Sequence, residues 1–550
     1  MTISALQKAR AAYTPKLPKA LINGANVKII EGEATTSVAD QEKIAELFAA
    51  TYGAPKLTFE AGDGSIQDKT INVGVILSGG QAPGGHNVIA GLFDGLKSLN
   101  PDNKLIGFLG GPGGYVANDH MEITAEYLDA YRNTGGFDII GSGRTKLETE
   151  EDFDKGAENC KALGINAVVI IGGDDSNTNA CLLADYYKKK NIPIQVVGCP
   201  KTIDGDLKND QIEISFGFDT ACRVYSELIG NIMRDCNSSK KYWHFIRLMG
   251  RSASHITLEC ALQTHANICL VGEEVREKNQ SLDDIVQYVA NVIARRAEDG
   301  KHFGVALIPE GIVEFIPEVG LLIAELNELL HHKEDEFNAL SSKEAKVEFV
   351  LNNLSEQTSA VYASLPVLIQ TQLTNDRDPH GNVQVSLIET EKLIIEMVAV
   401  KLAEMKDAGK YVGKFGHQAH FFGYEGRCAA PSNFDADYCY GLGYSAAALI
   451  GAGKTGYMSS VQNLTKGQDA WIAGGVPVTM MMNVERRHGA DKPVIQKALV
   501  LLDAAPFQYF VSQRDKWAVE TDFVYPGPIQ YFGPSEVCDQ CCETIKLESN

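Results

Sequence analysis

Six short apolar runs, each followed by a glycine-rich or polar loop, constrain the fold of this chain most strongly. The runs are Asn72–Leu77, Lys104–Leu109, Ala167–Ile171, Ile194–Val197, Tyr242–Leu248 and Phe303–Ile308. Each loop opens a helical pattern, and strand, loop and helix alternating at this spacing predict βαβ units on a largely parallel sheet. Near-continuous apolar strands are also typical of sheets that are covered on both faces. We therefore expect an α/β fold.

The size and charge of the chain limit its organisation and its partners. A chain of 550 residues is too long for one core and predicts roughly three or four units, or two large ones with insertions. The formal net charge of −21 repels phosphate backbones and anionic lipid, so we expect neither nucleic acid nor a membrane as partner. The scattered cysteines are typical of a reducing compartment, and no secretory segment is visible, which favours the cytoplasm.

Two segments differ from the strand and helix rhythm. Residues 1–70 precede it and contain one amphipathic helical pattern, at about 39–52. After Pro317 the sequence becomes helical and charged until about Gly409, with a loop at Asn375–Asn382, and we interpret this segment as a helical insertion.

The loops after the first and third strands have the composition of phosphate sites. Ligands of open α/β sheets bind at the carboxyl ends of strands, where glycine lets the backbone approach them. The loop Leu77–Asn87 is either a phosphate cradle or a flexible turn. The loop Gly172–Ser176 contains two adjacent acids, which either cap the next helix or include a carboxylate that holds Mg²⁺ against a bound phosphate.

Two further loops carry charged side chains after a strand. The loop Pro200–Asn209 contains Lys201, Thr202, Asp204 and Asp206, which together supply a cation for phosphate, a base and a metal contact, although each one alone would fit a polar turn. In the loop Met249–His255, Arg251 is either a ligand contact or a surface ion-pair residue. No Gly-x-Gly-x-x-Gly opens the first helix, which argues against a nicotinamide dehydrogenase.

In this order the loops resemble the phosphofructokinase family, in its long form that uses pyrophosphate. The motifs that carry the resemblance are Ser78–Gly85, Gly172–Ser176, Pro200–Lys208, Met249–Arg251, Pro309–Gly311 and Gly423–Arg427. The resemblance runs from about residue 71 to the end of the chain. It implies reversible phosphoryl transfer from pyrophosphate to the 1-hydroxyl of fructose 6-phosphate, which gives fructose 1,6-bisphosphate and phosphate.

The resemblance also assigns roles around the phosphoryl donor. Asp204 matches the proton acceptor, Asp174 the Mg²⁺ contact with Asp206 beside it, and Lys201 a residue of pyrophosphate binding and catalysis, while Gly80 and Arg144 would contact pyrophosphate. ATP-dependent relatives carry glycine at the positions of Asp175 and Lys201. The Asp175 carboxylate would therefore occupy, with negative charge, the space where the α-phosphate of ATP would pass.

The sugar-phosphate site carries over in the same way. Its residues are Thr202, Ile203, Asp204, Lys241, Tyr242, Met249, Gly250, Arg251, Glu310, Tyr424, Glu425, Gly426 and Arg427. The resemblance implies that Lys241, with Lys240 as the alternative, reaches a site on a neighbouring subunit, so a homodimer or a larger homo-oligomer is expected.

The family fold that the resemblance implies has two Rossmann-like lobes with mainly parallel sheets. Residues 71–215 and part of 428–550 would form the pyrophosphate lobe, and residues 216–427 the fructose 6-phosphate lobe with the insertion at about 316–410. Residues 1–70 would be an N-terminal extension.

Two other functions stay open at this point, an ATP-dependent phosphofructokinase and a non-catalytic regulatory subunit of such an enzyme. Asp175 and Lys201 argue against the first, and the retained acids against the second.

Overall fold

A computed structural model of the chain describes residues 7, 10–62, 70–375, 383–487, 490–528 and 539–549. The strands, labelled in chain order, are β1 Val27–Ala34, β2 Pro55–Ala61, β3 Val73–Leu77, β4 Leu105–Phe108, β5 His120–Ile123, β6 Ala167–Gly172, β7 Gln195–Pro200, β8 Trp243–Leu248, β9 Ile268–Cys269, β10 Gly304–Pro309, β11 His417–Phe422, β12 Tyr457–Gln462, β13 Ile472–Pro477, β14 Met482–Arg487 and β15 Ala490–Ile495. The six apolar runs of the sequence are confirmed as β3, β4, β6, β7, β8 and β10.

Helices follow most of these strands. They are α1 Gln41–Leu47, α2 Gly85–Leu99, α3 Pro112–Ala117, α4 Ala125–Asp129, α5 Glu150–Ala162, α6 Asp174–Lys189, α7 Phe218–Ser239, α8 His255–Thr264, α9 Gly272–Glu277, α10 Leu282–Glu298, α11 Ile312–Phe315, α12 Pro317–His332, α13 Glu334–Asn338, α14 Lys343–Asn353, α15 Glu356–Ser364, α16 Val367–Asn375, α17 Thr390–Asp407, α18 Tyr424–Arg427, α19 Asn433–Gly451, α20 Ala505–Val519 and α21 Glu543–Glu548. Within the ranges that the structure describes, no helix is long and apolar enough to cross a membrane.

The chain divides into two units. The first comprises Met1–Val224, Tyr424–Ala498 and Ile529–Asn550, and the second comprises Tyr225–Gly423 and Leu499–Pro528. Its boundaries differ from those of the expected lobes at residues 216–224 and 424–427, which belong to the first unit. Of residues 428–550, only part of which was expected in the pyrophosphate lobe, 499–528 belong to the second unit. Which substrate each lobe binds stays a prediction.

The first unit is built on a nine-stranded sheet with the order β1-β2-β13-β12-β7-β6-β3-β4-β5. Its central strands β7, β6, β3 and β4 are parallel, and every residue of β3, β4 and β6 is buried. The register pairs Leu77 with Ile171, and Gly172 with Pro200. The loops that follow β3, β6 and β7 therefore leave the same edge of the sheet.

The described part of residues 1–70 belongs to this unit, since β1 is an edge strand of the sheet and β2 pairs with β13. The helix predicted at about 39–52 ends earlier, at Leu47. The backbone N–H groups of Ala50 and Thr51 donate to the Asp185 carboxylate at 2.9 and 3.0 Å. These bonds stabilise the backbone after Leu47 in place of further helical turns.

Two helices of the first unit pack backbone against backbone. A Cβ on Gly91 of α2 would lie 2.2 Å from the Tyr440 carbonyl oxygen, and a Cβ on Gly443 of α19 would lie 2.2 Å from the Val88 carbonyl oxygen. Glycine is required at both positions because any side chain would separate the helices. Residues far apart in the sequence thus share one core.

The second unit has a parallel four-stranded sheet with the order β11-β8-β10-β9. The predicted helical insertion is confirmed, because α12 to α17 occupy most of residues 317–407. The predicted loop Asn375–Asn382 lies, after Asn375, outside the described residues. Leu322, Tyr362 and Val398 of the insertion are fully buried in one core with Phe245 of β8. The insertion is therefore packed against the sheet of this unit.

Candidate active site

Three of the predicted phosphate loops lie side by side in the first unit. The Ser78 amide donates to the Ile171 carbonyl and the Lys201 amide to the Gly172 carbonyl, both at 2.9 Å. The hydroxyl of Ser176 donates to that of Ser78 at 2.8 Å. These bonds extend the parallel pairing beyond the strands, so the first residues of each loop are fixed by the sheet.

Lys201 places a buried cation at this edge. Its Nζ donates to the Gly80 carbonyl oxygen at 2.5 Å, and the residue is only 6% exposed. Burial, together with the charge of the nearby Arg427, lowers the pKa of Lys201 to about 8, although Asp204 and Asp174 oppose the shift. The ammonium therefore keeps its charge at neutral pH in surroundings where water screens it little.

Arg427 lies against the first loop. A Cβ on Gly80 would lie 1.4 Å from the Arg427 Nη2, so glycine is required here for the guanidinium to approach the backbone. The Nε of Arg427 also donates to the Gln81 carbonyl oxygen at 3.1 Å. The short helix α18 supplies this arginine, together with Tyr424, whose exposed ring lies 5.8 Å from the guanidinium carbon.

Three aspartates provide the negative charge of the same region. Asp174 is the first residue of α6, and Asp204 and Asp206 lie in the loop after β7. Burial raises the pKa of Asp206 to about 7, and the charges of Asp204 and Asp174 contribute to this shift. The Asp204 amide donates to the Thr202 hydroxyl at 3.1 Å, which fixes the loop around the predicted proton acceptor.

Lys497 is a residue of this site that the sequence reasoning missed. Its Nζ lies 3.7 Å from Asp174 Oδ2 and 3.9 Å from Asp206 Oδ2. The next residue, Ala498, donates its amide to the Asp206 carbonyl oxygen at 2.8 Å. No motif surrounds Lys497, and its contacts come only from the path of the chain after β15, so no sequence signal could have found it.

The remaining predicted residues of the first unit have different degrees of exposure. The Gly79 amide donates to the Gly143 carbonyl at 2.8 Å, which brings the exposed Arg144 next to the first loop. Asp175 is exposed at the second position of α6. The side chain of Ile203 is buried. Two residues of α18 complete the set: Glu425 is exposed and Gly426 is buried.

The second unit holds another group of predicted residues. Glu310 is buried after β10, and its Oε2 accepts from the Gly250 amide at 3.1 Å. A Cβ on Gly311 would lie 1.9 Å from the Arg251 carbonyl oxygen, so the two loops touch backbone to backbone. Met249 is buried, whereas the Arg251 side chain is exposed.

Lys241 and Tyr242 lie apart from this group. Both are exposed and precede the first residue of β8, whereas Met249–Arg251 follows its last residue. Six residues of strand at ~3.3 Å per residue place the two sets roughly 20 Å apart. The structure therefore does not bring Lys241, or its neighbour Lys240, to the Gly250 loop of its own chain.

The acids of the first unit fit a magnesium ion. Carboxylate oxygens are the ligands that Mg²⁺ prefers, and Asp174 and Asp206 both approach the same cation, the Lys497 ammonium. No group of three or more histidine, cysteine or acidic side chains that could hold a metal occurs in the described part of the chain. An ion held here would therefore complete its coordination with water and phosphate oxygens.

Comparison with known proteins finds relatives over the full length of the chain. Residues 72–450 match the profile of the family described as Phosphofructokinase. The chain is 60% identical to the pyrophosphate--fructose 6-phosphate 1-phosphotransferase of Porphyromonas gingivalis, over the full length of both chains. It is 54% identical to the protein of the same name from Treponema pallidum, covering 100% of this chain and 97% of that one.

The fold is also similar to that of a solved structure. The pyrophosphate-dependent phosphofructokinase from Marinobacter aquaeolei superposes with a TM-score of 0.53 at 15% identity, covering 82% of this chain and 93% of that one. The expectation of an α/β fold with mainly parallel sheets is confirmed.

The contact of Arg427 with Gly80 can be tested with one methyl group. Gly80→Ala should displace the Arg427 guanidinium and weaken the binding of fructose 6-phosphate about tenfold, because a charge-assisted bond to phosphate contributes ~1.5–3 kcal/mol. Titration calorimetry measures the affinity. Gly467→Ala is the control, since a Cβ there meets nothing within 4 Å. Unchanged affinity in Gly80→Ala would show that the position of Arg427 does not matter for anion binding.

Proposed function

The chain belongs to the phosphofructokinase family, and we propose that it transfers a phosphoryl group from pyrophosphate to the 1-hydroxyl of fructose 6-phosphate. The products are fructose 1,6-bisphosphate and phosphate, and the reaction is reversible. The observation that carries this function is the buried Lys201 ammonium, placed where three loops with the composition of phosphate sites meet. The relatives that match over the full chain are named for this reaction.

Pyrophosphate is held by backbone and cations of the first unit. Lys201 neutralises the small anion, and Gly80 and Arg144 lie in the loops beside it. Asp175 excludes a nucleotide, because its carboxylate repels the α-phosphate that ATP would bring to the loop. Binding energy that a nucleotide base would supply has to come from these phosphate contacts.

Asp204 accepts the proton of the attacking hydroxyl. Phosphoryl transfer requires alignment of donor and acceptor, neutralisation of charge and a base for the hydroxyl. The bond from the Asp204 amide to Thr202 keeps the loop in place as the carboxylate takes the proton. A magnesium ion bound by Asp174 and Asp206 would neutralise charge on the pyrophosphate oxygens.

Fructose 6-phosphate is bound by residues of several loops. The second unit carries Arg251, Glu310, Met249 and Gly250 of this predicted set, and the first unit carries Arg427 and Tyr424. Glu310 fixes the Gly250 amide by a hydrogen bond at 3.1 Å. An arginine presents a planar fork of donors that matches the phosphate of the sugar.

The assembly that we propose is a homodimer or a larger homo-oligomer. Lys241 would contact the sugar phosphate of a neighbouring subunit, which agrees with its place at the far end of β8 from the Gly250 loop. The compartment that we propose is the cytoplasm. The eleven cysteines of the described residues are thiols rather than disulfides, as is usual in a reducing environment.

The role of Asp204 predicts a loss of turnover. Asp204→Ser should lower kcat by ~10²-fold or more with little change in the KM for fructose 6-phosphate, because the lost group acts only on the reacting proton. Steady-state rates with pyrophosphate and Mg²⁺ measure both constants. Asp210→Ser is a control in the same loop, at an exposed position. A near-normal kcat in Asp204→Ser would remove this residue from the role of base.

The donor residues predict a change in specificity. The wild type should phosphorylate fructose 6-phosphate with pyrophosphate and not with ATP. Asp175→Gly should lower the ratio of kcat/KM for pyrophosphate to kcat/KM for ATP about tenfold or more, because it removes the carboxylate that repels the α-phosphate. Adding Lys201→Gly should reduce pyrophosphate turnover further and non-additively.

The control for donor choice is Glu151→Gly. It removes an exposed acid from the first turn of α5 in the same unit, and it should leave the donor ratio unchanged. If Asp175→Gly lowers both donors equally, Asp175 does not determine the donor. A wild type that uses ATP and not pyrophosphate would refute the proposed function.

The action of Lys241 across subunits predicts complementation. Lys241→Ala and Asp204→Ser chains should each be nearly inactive at low fructose 6-phosphate. A refolded 1:1 mixture should recover about a quarter of the wild-type rate, because half of the dimers are mixed and each mixed dimer has one intact site. If Lys241 acts on its own chain, no site is restored and the mixture shows only the mean rate of the two variants.

A further inference from the structure

A buried arginine connects the helical insertion with the sheet of the second unit. Arg247 is the penultimate residue of β8, and its Nε lies 2.8 Å from Glu391 Oε2 at the start of α17. Its Nη1 donates to the carbonyl oxygens of Ser386 and Ile388 at 3.1 and 3.2 Å. The side chains of Arg247 and Glu391 are 7% and 4% exposed. The insertion thus contacts the positive charge of an arginine that belongs to the sheet.

The same guanidinium faces the carboxylate of Glu310. Arg247 Nη1 lies 4.0 Å from Glu310 Oε1, and the other oxygen of this carboxylate accepts from the Gly250 amide. The ring of Phe421, on the neighbouring strand β11, lies 4.0 Å from the guanidinium carbon and covers one face of it. Arg247 is therefore held between two carboxylates by partners on several elements.

Burial makes this arrangement sensitive to the loss of any member. Burial raises the pKa of Glu391, and the charge of Arg247 opposes that shift. A buried carboxylate without a nearby cation is strongly unfavourable, so removal of the guanidinium would change the position or the protonation of Glu310. The Gly250 amide would then lose a fixed acceptor.

We propose that Arg247 and Glu391 are positioning residues of the sugar-phosphate site. They hold Glu310, which in turn holds the Gly250 loop, and neither of them needs to touch the substrate. The helical insertion thereby takes part in binding fructose 6-phosphate through Glu391 and the carbonyl groups of residues 386 and 388. This inference rests on the proposed function, which assigns Glu310 and Gly250 to the sugar phosphate.

Three variants test the connection. Glu391→Gln keeps the shape of the side chain and removes the charge, and Arg247→Met removes the guanidinium. Each should raise the KM and the calorimetric Kd for fructose 6-phosphate about tenfold, because a displaced loop weakens binding at a distance. The KM for pyrophosphate should stay within about twofold of the wild type. The double variant should be non-additive, because the two residues form one pair.

The matched control breaks another ion pair of the same unit. Arg514→Met removes a guanidinium that lies 2.8 Å from both carboxylate oxygens of Glu274, between α20 and α9. It should lower the melting temperature and leave the KM and Kd for fructose 6-phosphate unchanged. Arg247→Lys, which restores the charge without the planar fork, should bind the sugar phosphate better than Arg247→Met.

The outcomes separate this inference from the function on which it rests. A wild type without pyrophosphate-dependent activity would refute the proposed function. An active wild type with unchanged KM and Kd for fructose 6-phosphate in Glu391→Gln would refute the positioning role. Equal increases in the KM for both substrates would also refute it, since they indicate general damage. If Arg247→Met does not fold, the isosteric Glu391→Gln decides the result alone.

Discussion

The candidate site depends on one buried positive charge, the ammonium group of Lys201. Burial favours the neutral form of Lys201 and lowers its pKa to about 8, and the carboxylates of Asp204 and Asp174 act in the opposite direction. Burial, and after it the charges of those acids, disfavours ionisation of Asp206, whose pKa is raised to about 7. Each charge therefore depends on groups of its own loop and of the neighbouring loop. If pyrophosphate binds here as proposed, its negative charge would favour the protonated form of Lys201 and would couple anion binding to the protonation of the site.

The parallel sheet is what brings these groups to one place. Because β3, β6 and β7 are paired in register, their loops begin at the same edge, and backbone bonds continue the pairing into the loops. Glycine then decides how closely side chains approach, since only a residue without a Cβ leaves room for the Arg427 guanidinium against Gly80. In the second unit the pairing of β8 with β10 has the same effect on Glu310 and the Gly250 loop.

Sequence reasoning located six strands of the two sheets and the loops that follow them, because both have strong local patterns. The run Ala167–Ile171 is apolar throughout and is a fully buried strand. The acids that follow it lie at the carboxyl end of this strand, which is where a parallel sheet places its loops. Contacts between distant residues leave no such pattern. Lys497 lies near Asp174 only because of the path of the chain after β15. Nothing in the sequence around Arg247 indicates that Glu391 lies beside it. The early end of α1 likewise depends on Asp185, which is remote in sequence.

The position of β12 has a consequence for folding during synthesis. This strand pairs with β7 and β13 inside the sheet of the first unit, although it is made after all but a short last segment of the second unit. The ribosome therefore makes most of the second unit while the sheet of the first still lacks internal strands. Long-range pairing of this kind is slow and leaves strand edges exposed. The sheet that the amino-terminal half of the chain begins can be completed only after the carboxyl-terminal strands have been made. The order of folding is therefore partly the reverse of the order of translation.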